Sequence, residues 1–400
     1  MPFYHKVGRI PQKRHTTFFK PDGKSLYREE LFSTLGFSGV HTNKYHIHMP
    51  TRVKDVRELK PTDASLWNEA PLLYYHFFTD KKQTTGNFVT ARNVFLKNQH
   101  CILATAHPNE NPAPDFFYRN SFAHEYVFVH HGTGALLSEY GRLPFEDGDQ
   151  ILVPRGTTYQ MVFDKLEGNK LFIVESDTAF EVPRHYRNEY GQMLEGAPFC
   201  ERDIKLPEFM EPFDQEGEFR MILKAWDRTF EYILPHHPFD VVGWDGYNYP
   251  HALNIKDYCP IVGKIHLPPP VHLLYKTEHF VLCNFVPRPF DFHPEAIPAP
   301  YFHSNIDSDE ILYYVDGDFM SRKGVVQGSI TLHPGGLPHG PQPGKTEASV
   351  GKKETSEWAI MVDTFQPLKP TLNVKETLDP DYARSWLDEN SNGRYVGTTS

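Results

Sequence analysis

Residues 328–339 read GSITLHPGGLPH and carry glycine, proline, glycine and histidine at the spacing G-x(5)-P-x-G-x(2)-H. Residues 148–159, GDQILVPRGTTY, repeat this spacing with tyrosine in the last place. A second pair of related blocks precedes them, FYRNSFAHEYVFVHHG at 117–132 and FHSNIDSDEILYYVDG at 302–317, each with an asparagine, a glutamate and a glycine in matching places. Because both pairs occur in the same order, we interpret the chain as two copies of one unit.

The composition favours short strands over long helices. The chain has 34 prolines and 27 glycines spread along its length, and 14% of its residues are aromatic. Turn-forming residues between short apolar segments are typical of β-barrels and jelly rolls. We therefore predict a duplicated β-barrel, with a hairpin formed by residues 219–226 and 228–234. One helix is expected after Asp379, where Ala383, Trp386 and Leu387 fall on one face.

Charge and cysteine usage exclude several classes of protein. Lysine and arginine number 41 against 51 aspartates and glutamates, a net charge of −10, so a nucleic-acid partner or an anionic membrane surface is not expected. No apolar run approaches the length of a membrane span, and the N-terminus lacks the continuous apolar segment of a signal peptide. The four cysteines are scattered, which indicates buried thiols in a reducing compartment. We expect a soluble, cytoplasmic protein.

The two copies differ where chemistry would occur. The second copy carries His303, Glu310 and His339, whereas the first keeps the glutamate but has Tyr118 and Tyr159 in place of the two histidines. Two imidazoles and one carboxylate form the facial triad of non-haem Fe(II) oxygenases, which leaves coordination positions open for substrate and dioxygen. The sequence therefore predicts one metal-binding copy and one copy that serves as scaffold.

Other groupings of potential ligands are weaker candidates. Asp307 and Asp309 lie beside Glu310, but they are explained as turn residues, and only Glu310 has a counterpart in the first copy. The histidines between 124 and 131 could suggest a second metal site, yet no repeated carboxylate spacing accompanies them.

With these motifs identified, the chain resembles the cupin superfamily and, within it, the homogentisate 1,2-dioxygenase family. The specific matches are KVGRIPQKRHTTF at 6–18, PFDVVGWDGYNYP at 238–250, PYFHSN at 300–305 and LPHGP at 337–341. The resemblance implies an all-β (mainly β) fold of duplicated cupin or jelly-roll barrels with few short helices.

The resemblance also implies a division of the chain. Residues 1–250 would form an N-terminal β domain that contains a degenerate, metal-free cupin copy at roughly 110–165. Residues 251–400 would form a C-terminal cupin domain with the iron site and a C-terminal helix.

The family's reaction is the cleavage of homogentisate by O2 to maleylacetoacetate, in tyrosine and phenylalanine catabolism. By resemblance, Fe(II) would be bound by His303, Glu310 and His339. His266 would be the acid–base residue, and His333, Asn305 and His339 would contact the substrate. The resemblance further implies a homo-oligomer, a trimer or a hexamer.

The chain departs from the family pattern at two positions near the predicted pocket. Ser304 replaces an arginine after the first ligand, and Phe319 stands where a tyrosine is expected. Two alternatives therefore stay open. One is a ring-cleaving dioxygenase for a related hydroquinone acid such as gentisate, and the other is a non-redox, metal-dependent cupin isomerase.

Overall fold

The computed structural model describes residues 3–59, 64–225, 227–319 and 324–387. Within these ranges the chain is mainly β, with one α-helix of five residues, α1 (Lys345–Ser349), and short 3-10 helices. The strands are β1 (His5–Gly8), β2 (Arg28–Ser33), β3 (His41–His46), β4 (Asp55–Leu59), β5 (Tyr75–Phe77), β6 (Arg92–Lys97), β7 (Cys101–Ala106), β8 (Phe116–Asn120), β9 (His124–His131), β10 (Gly134–Ser138), β11 (Gly141–Phe145), β12 (Asp149–Val153), β13 (Thr158–Phe163), β14 (Lys170–Ser176), β15 (Ile204–Lys205), β16 (Glu216–Ala225), β17 (Arg228–His236), β18 (Val241–Gly246), β19 (His251–Asn254), β20 (Leu273–Lys276), β21 (Phe280–Phe285), β22 (Arg288–Pro289), β23 (Asp309–Asp316), β24 (Ile330–His333), β25 (Glu354–Thr355), β26 (Trp358–Thr364) and β27 (Lys369–Pro370). The 3-10 helices are Thr79–Lys81, Arg184–Tyr186, Glu201–Asp203, Ile255–Asp257, Pro269–His272, Leu372–Thr377 and Tyr382–Arg384. The predicted fold class, mainly β with few short helices, is confirmed.

The chain forms two compact units. The first comprises Met1–Ser65, Gln83–Tyr258 and Tyr275–Glu278, and the second comprises Leu66–Lys82, Cys259–Leu274 and His279–Ser400. The predicted boundary between 250 and 251 falls close to the end of the long central segment of the first unit. The sequence did not indicate that Leu66–Lys82 belongs to the second unit.

The first unit is built around two facing antiparallel layers that hold the first copy. One layer has the order β11-β10-β13-β8-β16-β17-β4, with a parallel pairing of β8 and β16, and the other contains β15-β19-β12-β9-β14-β7-β6. Apolar side chains from both layers, among them Leu136, Val127, Ile151 and Ile173, form one buried core. This alternation of inward apolar residues is the pattern of a jelly roll.

The predicted hairpin is confirmed. β16 pairs with β17 in antiparallel register, with Ala225 opposite Arg228. Trp226, the last residue of the predicted first strand, lies outside the described residues.

The second unit centres on a sheet with the order β21-β26-β23-β24-β5. Strand β23 lies between β24 and β26 and carries Glu310. This residue lies opposite His333 of β24 and opposite Asp363 of β26. Cys283, Leu312 and Met361 form part of a buried apolar cluster on this sheet. Glu310 is therefore held by neighbouring strands on both sides.

The glycine that ends each repeated block is favoured by a positive φ angle and by a close neighbouring atom. Gly132 and Gly317 have positive φ angles of 136° and 93°. A Cβ atom on Gly317 would lie 2.0 Å from the carbonyl oxygen of Ser356, and one on Gly132 would lie 2.7 Å from Oδ1 of Asn169. A side chain at either position would be strained by the positive φ angle and crowded by the neighbouring atom. The turn after each central strand therefore explains why glycine ends both blocks.

The helix expected after Asp379 is reduced to a single 3-10 turn at Tyr382–Arg384. Tyr382 is 1% exposed and its ring packs against Trp386 at 5.3 Å, so burial of these aromatic side chains, and not a helical apolar face, organises the segment. Residues 388–400 lie outside the described part.

Among the described residues, no helix combines the length and apolarity needed to cross a bilayer.

Two buried neutral histidines of the first unit predict acid sensitivity. Burial lowers the pKa of His251 to about 3, and burial lowers that of His237 to about 4. The unfolded chain takes up a proton at each ring near pH 6.5, whereas the folded chain does not until lower pH. The free energy of unfolding should therefore fall as the pH decreases from 6.5 toward 4, by up to about 1.4 kcal/mol per pH unit for each histidine.

Urea unfolding at pH 7, 5.5 and 4.5 measures this loss. His251→Gln should show a shallower pH dependence than the parent, and exposed His185→Gln should follow the parent. Equal slopes for all three proteins would contradict the assignment.

Candidate metal centre and its cavity

The three predicted ligands converge in the second unit. Glu310 lies near the start of β23, and His303 and His339 are joined by an antiparallel bridge whose two backbone hydrogen bonds measure 2.9 and 2.8 Å. Nε2 of His303 is 3.5 Å from Oε2 of Glu310, and Nε2 of His339 is 3.4 Å from Oε1. All three ligand atoms lie within 4.8 Å of one another, a distance compatible with one bound ion.

The orientation of the His339 ring suits metal coordination. Its Nδ1 lies 3.1 Å from the carbonyl oxygen of Leu337, so Nδ1–H donates to the backbone and Nε2 keeps its lone pair. Within the described ranges, this Nε2 is buried and has no hydrogen-bond partner. Nδ1 of His303 similarly lies 3.4 Å from the carbonyl oxygen of Tyr301. A backbone partner that fixes the ring tautomer is typical of metal-binding histidines.

Glu310 is held in its charged form. Burial alone would raise its pKa, but the rings of His303, His333 and His339, which all face its carboxylate oxygens, outweigh burial and keep that pKa well below its ordinary value. His333 makes the shortest of these contacts, with Nδ1 2.7 Å from Oε1 of Glu310 and Nε2 2.9 Å from the hydroxyl of Tyr382. His333 is fully buried. Both of its ring nitrogens are thus already engaged with protein groups.

A cavity of about 380 Å³ opens beside the cluster. His303 and Glu310 reach its surface, as do the predicted His266 and Asn305. His333 and His339, both expected to contact substrate, do not line it. Its apolar walls are formed mainly by Val262, Leu267, Phe285, Phe290, Leu312 and Met361. This volume and lining fit a small aromatic molecule.

His266 stands at the rim of this cavity. Its side chain is 39% exposed, and its Nδ1 lies 3.4 Å from Oδ2 of Asp291. The ring meets Tyr301 edge to face at 4.9 Å. A carboxylate on one nitrogen and open space at the other is an arrangement that suits a proton-transfer residue.

The two departures from the family pattern lie in different surroundings. Phe319 packs edge to face on Tyr314 at 4.8 Å, and the Tyr314 side chain lines the cavity. Ser304 is exposed between two cavity-lining residues.

Sequence reasoning missed several polar residues of the cavity, among them Arg288, His272 and Asp363. Burial and the nearby charge of Glu310 raise the pKa of Asp363 well above its ordinary value, and its Oδ1 has no hydrogen-bond partner among the described residues. All three lie outside the repeated blocks. Asp363 could have been found only from its pairing with Glu310 on the neighbouring strand. That pairing is known only once the order of the strands in the sheet is known.

In the first copy an arginine occupies the centre of the corresponding cluster. Arg92 forms an ion pair with Glu125, and its Nη2 donates to the hydroxyl of Tyr159 at 2.9 Å. That hydroxyl in turn donates to Glu125 at 2.8 Å, and the guanidinium lies over the ring of Tyr118 at 4.9 Å. Arg92 also contacts Glu175 at 3.3 Å. A guanidinium thus neutralises the carboxylate of this copy.

A duplicated jelly roll with a histidine–glutamate–histidine cluster in one copy defines the cupin class. The family described as Homogentisate 1,2-dioxygenase N-terminal matches residues 98–255. A candidate dioxygenase of Saccharolobus solfataricus, whose name states no substrate, is 42% identical over 388 residues, covering 96% of this chain and 99% of that protein. The homogentisate 1,2-dioxygenase of Bradyrhizobium diazoefficiens is 24% identical over 392 residues, covering 90% and 86%. The chain belongs to the homogentisate 1,2-dioxygenase family of the cupin superfamily.

Among solved structures, a Cupin 2 conserved barrel domain protein from Leptotrichia buccalis matches with a TM-score of 0.31 at 10% identity, covering 77% of this chain and 100% of that one. Membership of the family makes the protein a dioxygenase.

Proposed function

We propose that the protein is an Fe(II)-dependent ring-cleaving dioxygenase that converts homogentisate and O2 to maleylacetoacetate in tyrosine and phenylalanine catabolism. The observation that carries the proposal is the cluster of His303, Glu310 and His339 beside a cavity sized for one aromatic ring. Both oxygen atoms enter the product, so the reaction needs no external reductant. A cytoplasmic location and a homo-oligomeric state, a trimer or a hexamer, stay predictions.

The donor set fits iron. Two neutral imidazole nitrogens and one carboxylate oxygen are the ligands of facial-triad Fe(II) sites, whereas a site built for a softer ion would contain thiolates. The buried Nε2 of His339, which has no hydrogen-bond partner in the described part of the chain, supports a metal at this position. When bound, the metal would hold substrate and dioxygen side by side and withdraw charge from the ring as it reacts.

The chain's own residues supply orientation and proton transfer. His266 would remove a phenolic proton from the bound ring, with Asp291 holding the imidazole in position. The Asn305 amide can hydrogen-bond a ring hydroxyl. His333, hydrogen-bonded to Tyr382, holds the Glu310 carboxylate and fixes its direction.

Oxygen uptake by the anaerobically iron-loaded protein tests the proposal. Addition of homogentisate should consume O2 in a one-to-one ratio with a ring-opened product followed by its absorbance. If gentisate causes O2 uptake and homogentisate does not, the substrate is a hydroquinone acid other than homogentisate. Activity with Zn(II) or Mn(II) and without O2 consumption would favour the isomerase alternative.

Replacement of His266 by alanine separates metal binding from proton transfer. His266→Ala should retain iron, because the side chain is not in the ligand cluster, and should lose turnover by about 100- to 10,000-fold, the range typical of a general base. Iron content and oxygen uptake measure the two properties. His293→Ala, which removes another histidine of the same unit outside the cavity lining, is the control. Full activity of His266→Ala would remove this residue from the mechanism.

A further inference from the structure

Several polar side chains line the cavity without a role in the proposed reaction, and two of them carry the inference. The first is Arg288, which is placed by the short pairing of β22 with β25, opposite Thr355. Its Nη1 donates to the backbone carbonyl of Val286 at 3.2 Å. The cavity-lining carboxylates Asp291 and Glu357 attract it, but no carboxylate of a described residue lies within 4 Å of its guanidinium. The charge of Arg288 is therefore not matched by an ion pair in this part of the chain.

The second is His272, the last residue of the 3-10 helix Pro269–His272. This histidine is 5% exposed, and its Nδ1 is buried with no hydrogen-bond partner among the described residues. Burial, followed by the positive charges of Arg288 and His266, lowers the pKa of His272 to about 3. The ring is therefore neutral, and one of its nitrogens carries a proton that it can donate.

The two side chains are neighbours on one wall. The ring of His272 lies 5.2 Å from that of Phe285, and the guanidinium of Arg288 lies 5.7 Å from the same ring. A partly buried guanidinium without an ion pair and a buried imidazole nitrogen without a hydrogen-bond partner are costly to leave unsatisfied, and a bound anion would satisfy both. Guanidinium groups bind planar carboxylates through two parallel hydrogen bonds.

We propose that Arg288 and His272 form the recognition site for a carboxylate group on the aromatic substrate. This inference rests on the proposed function and deepens it, since it assigns the residues that would recognise the anionic substituent of the hydroquinone. Arg288 would bind the carboxylate, and His272 would donate one hydrogen bond to it. Both act as specificity-determining residues, because neutral hydroquinones of the same ring size lack the group they recognise.

Equilibrium binding to the iron-loaded protein under anaerobic conditions tests the site without turnover. The probes are homogentisate and methylhydroquinone, which share the ring and its two hydroxyls but differ in the carboxylate. R288Q should weaken homogentisate binding by about 30-fold, and H272F by about 10-fold, as expected for loss of hydrogen bonds to a charged group. Both variants should leave the methylhydroquinone dissociation constant unchanged, and R288K should fall between R288Q and the parent.

Methylhydroquinone binding and iron content serve as internal checks of folding for each variant. Equal weakening for both probes, or no weakening for homogentisate, would overturn the anion site even if homogentisate is turned over. If homogentisate is not a substrate, but gentisate binds with the same dependence on Arg288, the anion site is supported and the proposed substrate is lost. The two proposals therefore fail separately.

Discussion

Replacement of His339 by alanine is expected to leave the protein without its metal and without turnover. The imidazole is 2% exposed, and its Nε2 faces Oε1 of Glu310 at 3.4 Å without a hydrogen bond among the described residues, so the variant removes one of the three ligand atoms of the cluster. Loss of a residue that only hydrogen-bonds a metal ligand lowers metal affinity by about 10- to 100-fold. Loss of a direct ligand should therefore lower it further, by about 1,000-fold. Iron content after dialysis and oxygen uptake with homogentisate measure the effect, and His303→Ala should behave in the same way.

A graded series makes this prediction specific. Tyr382→Phe removes only the hydroxyl that contacts His333. This hydroxyl is separated from the metal by His333 and Glu310, so its loss should reduce iron affinity by at most about 10-fold. Exposed His185→Ala should bind iron like the parent. Retention of stoichiometric iron by His339→Ala would show that the metal is bound elsewhere.

Replacement of Arg92 by methionine is expected to destabilise the first unit by about 3–5 kcal/mol. The change removes the cation from between Glu125 and Glu175, which are 1% and 2% exposed, and leaves a buried charge uncompensated. Glu175 keeps its contacts with Lys224, whose Nζ lies 2.7 Å from both carboxylate oxygens, so Glu125 should bear most of the loss. Urea unfolding measures the free energy change.

Two further variants isolate the origin of this loss. Adding Glu125→Gln to Arg92→Met should recover part of the stability, because the amide carries no charge and can still accept from Tyr159. Arg142→Met, which removes a surface ion pair with Glu208 whose side chains are 46% and 61% exposed, should cost less than about 1 kcal/mol. A loss of that small size for Arg92→Met would contradict the importance of the buried cation.

The convergence of His303, Glu310 and His339 could be predicted because these residues lie within repeated sequence blocks. The spacing shared by the two copies singled out Glu310 among neighbouring carboxylates, and the tyrosines of the first copy marked His303 and His339 as the residues that differ. The mainly β fold followed from the short apolar segments and their turns. These features are local, so they can be recognised in a single sequence.

Features that depend on contacts between distant segments could not be predicted. Arg92 precedes the first copy's blocks, and Arg288 and His272 precede those of the second, so nothing in the spacing connects them to the clusters. The strand Tyr75–Phe77 joins the sheet of the second unit across more than 200 residues of sequence, through its pairing with β24. The segment after Asp379 has a helical apolar pattern, but up to residue 387 it forms only the 3-10 turn Tyr382–Arg384, whose Tyr382 hydroxyl contacts His333 far away in the sequence.

The guanidinium at the centre of the first copy changes what that copy requires from the cell. The arginine is part of the polypeptide, whereas a metal ion must be taken up from the cell, where its concentration varies with growth conditions. We therefore expect the core of the first copy to form during synthesis at any iron concentration, and chelators to leave its unfolding midpoint unchanged. Under the proposed function, this arginine confines the iron requirement of the two copies to the cluster of His303, Glu310 and His339.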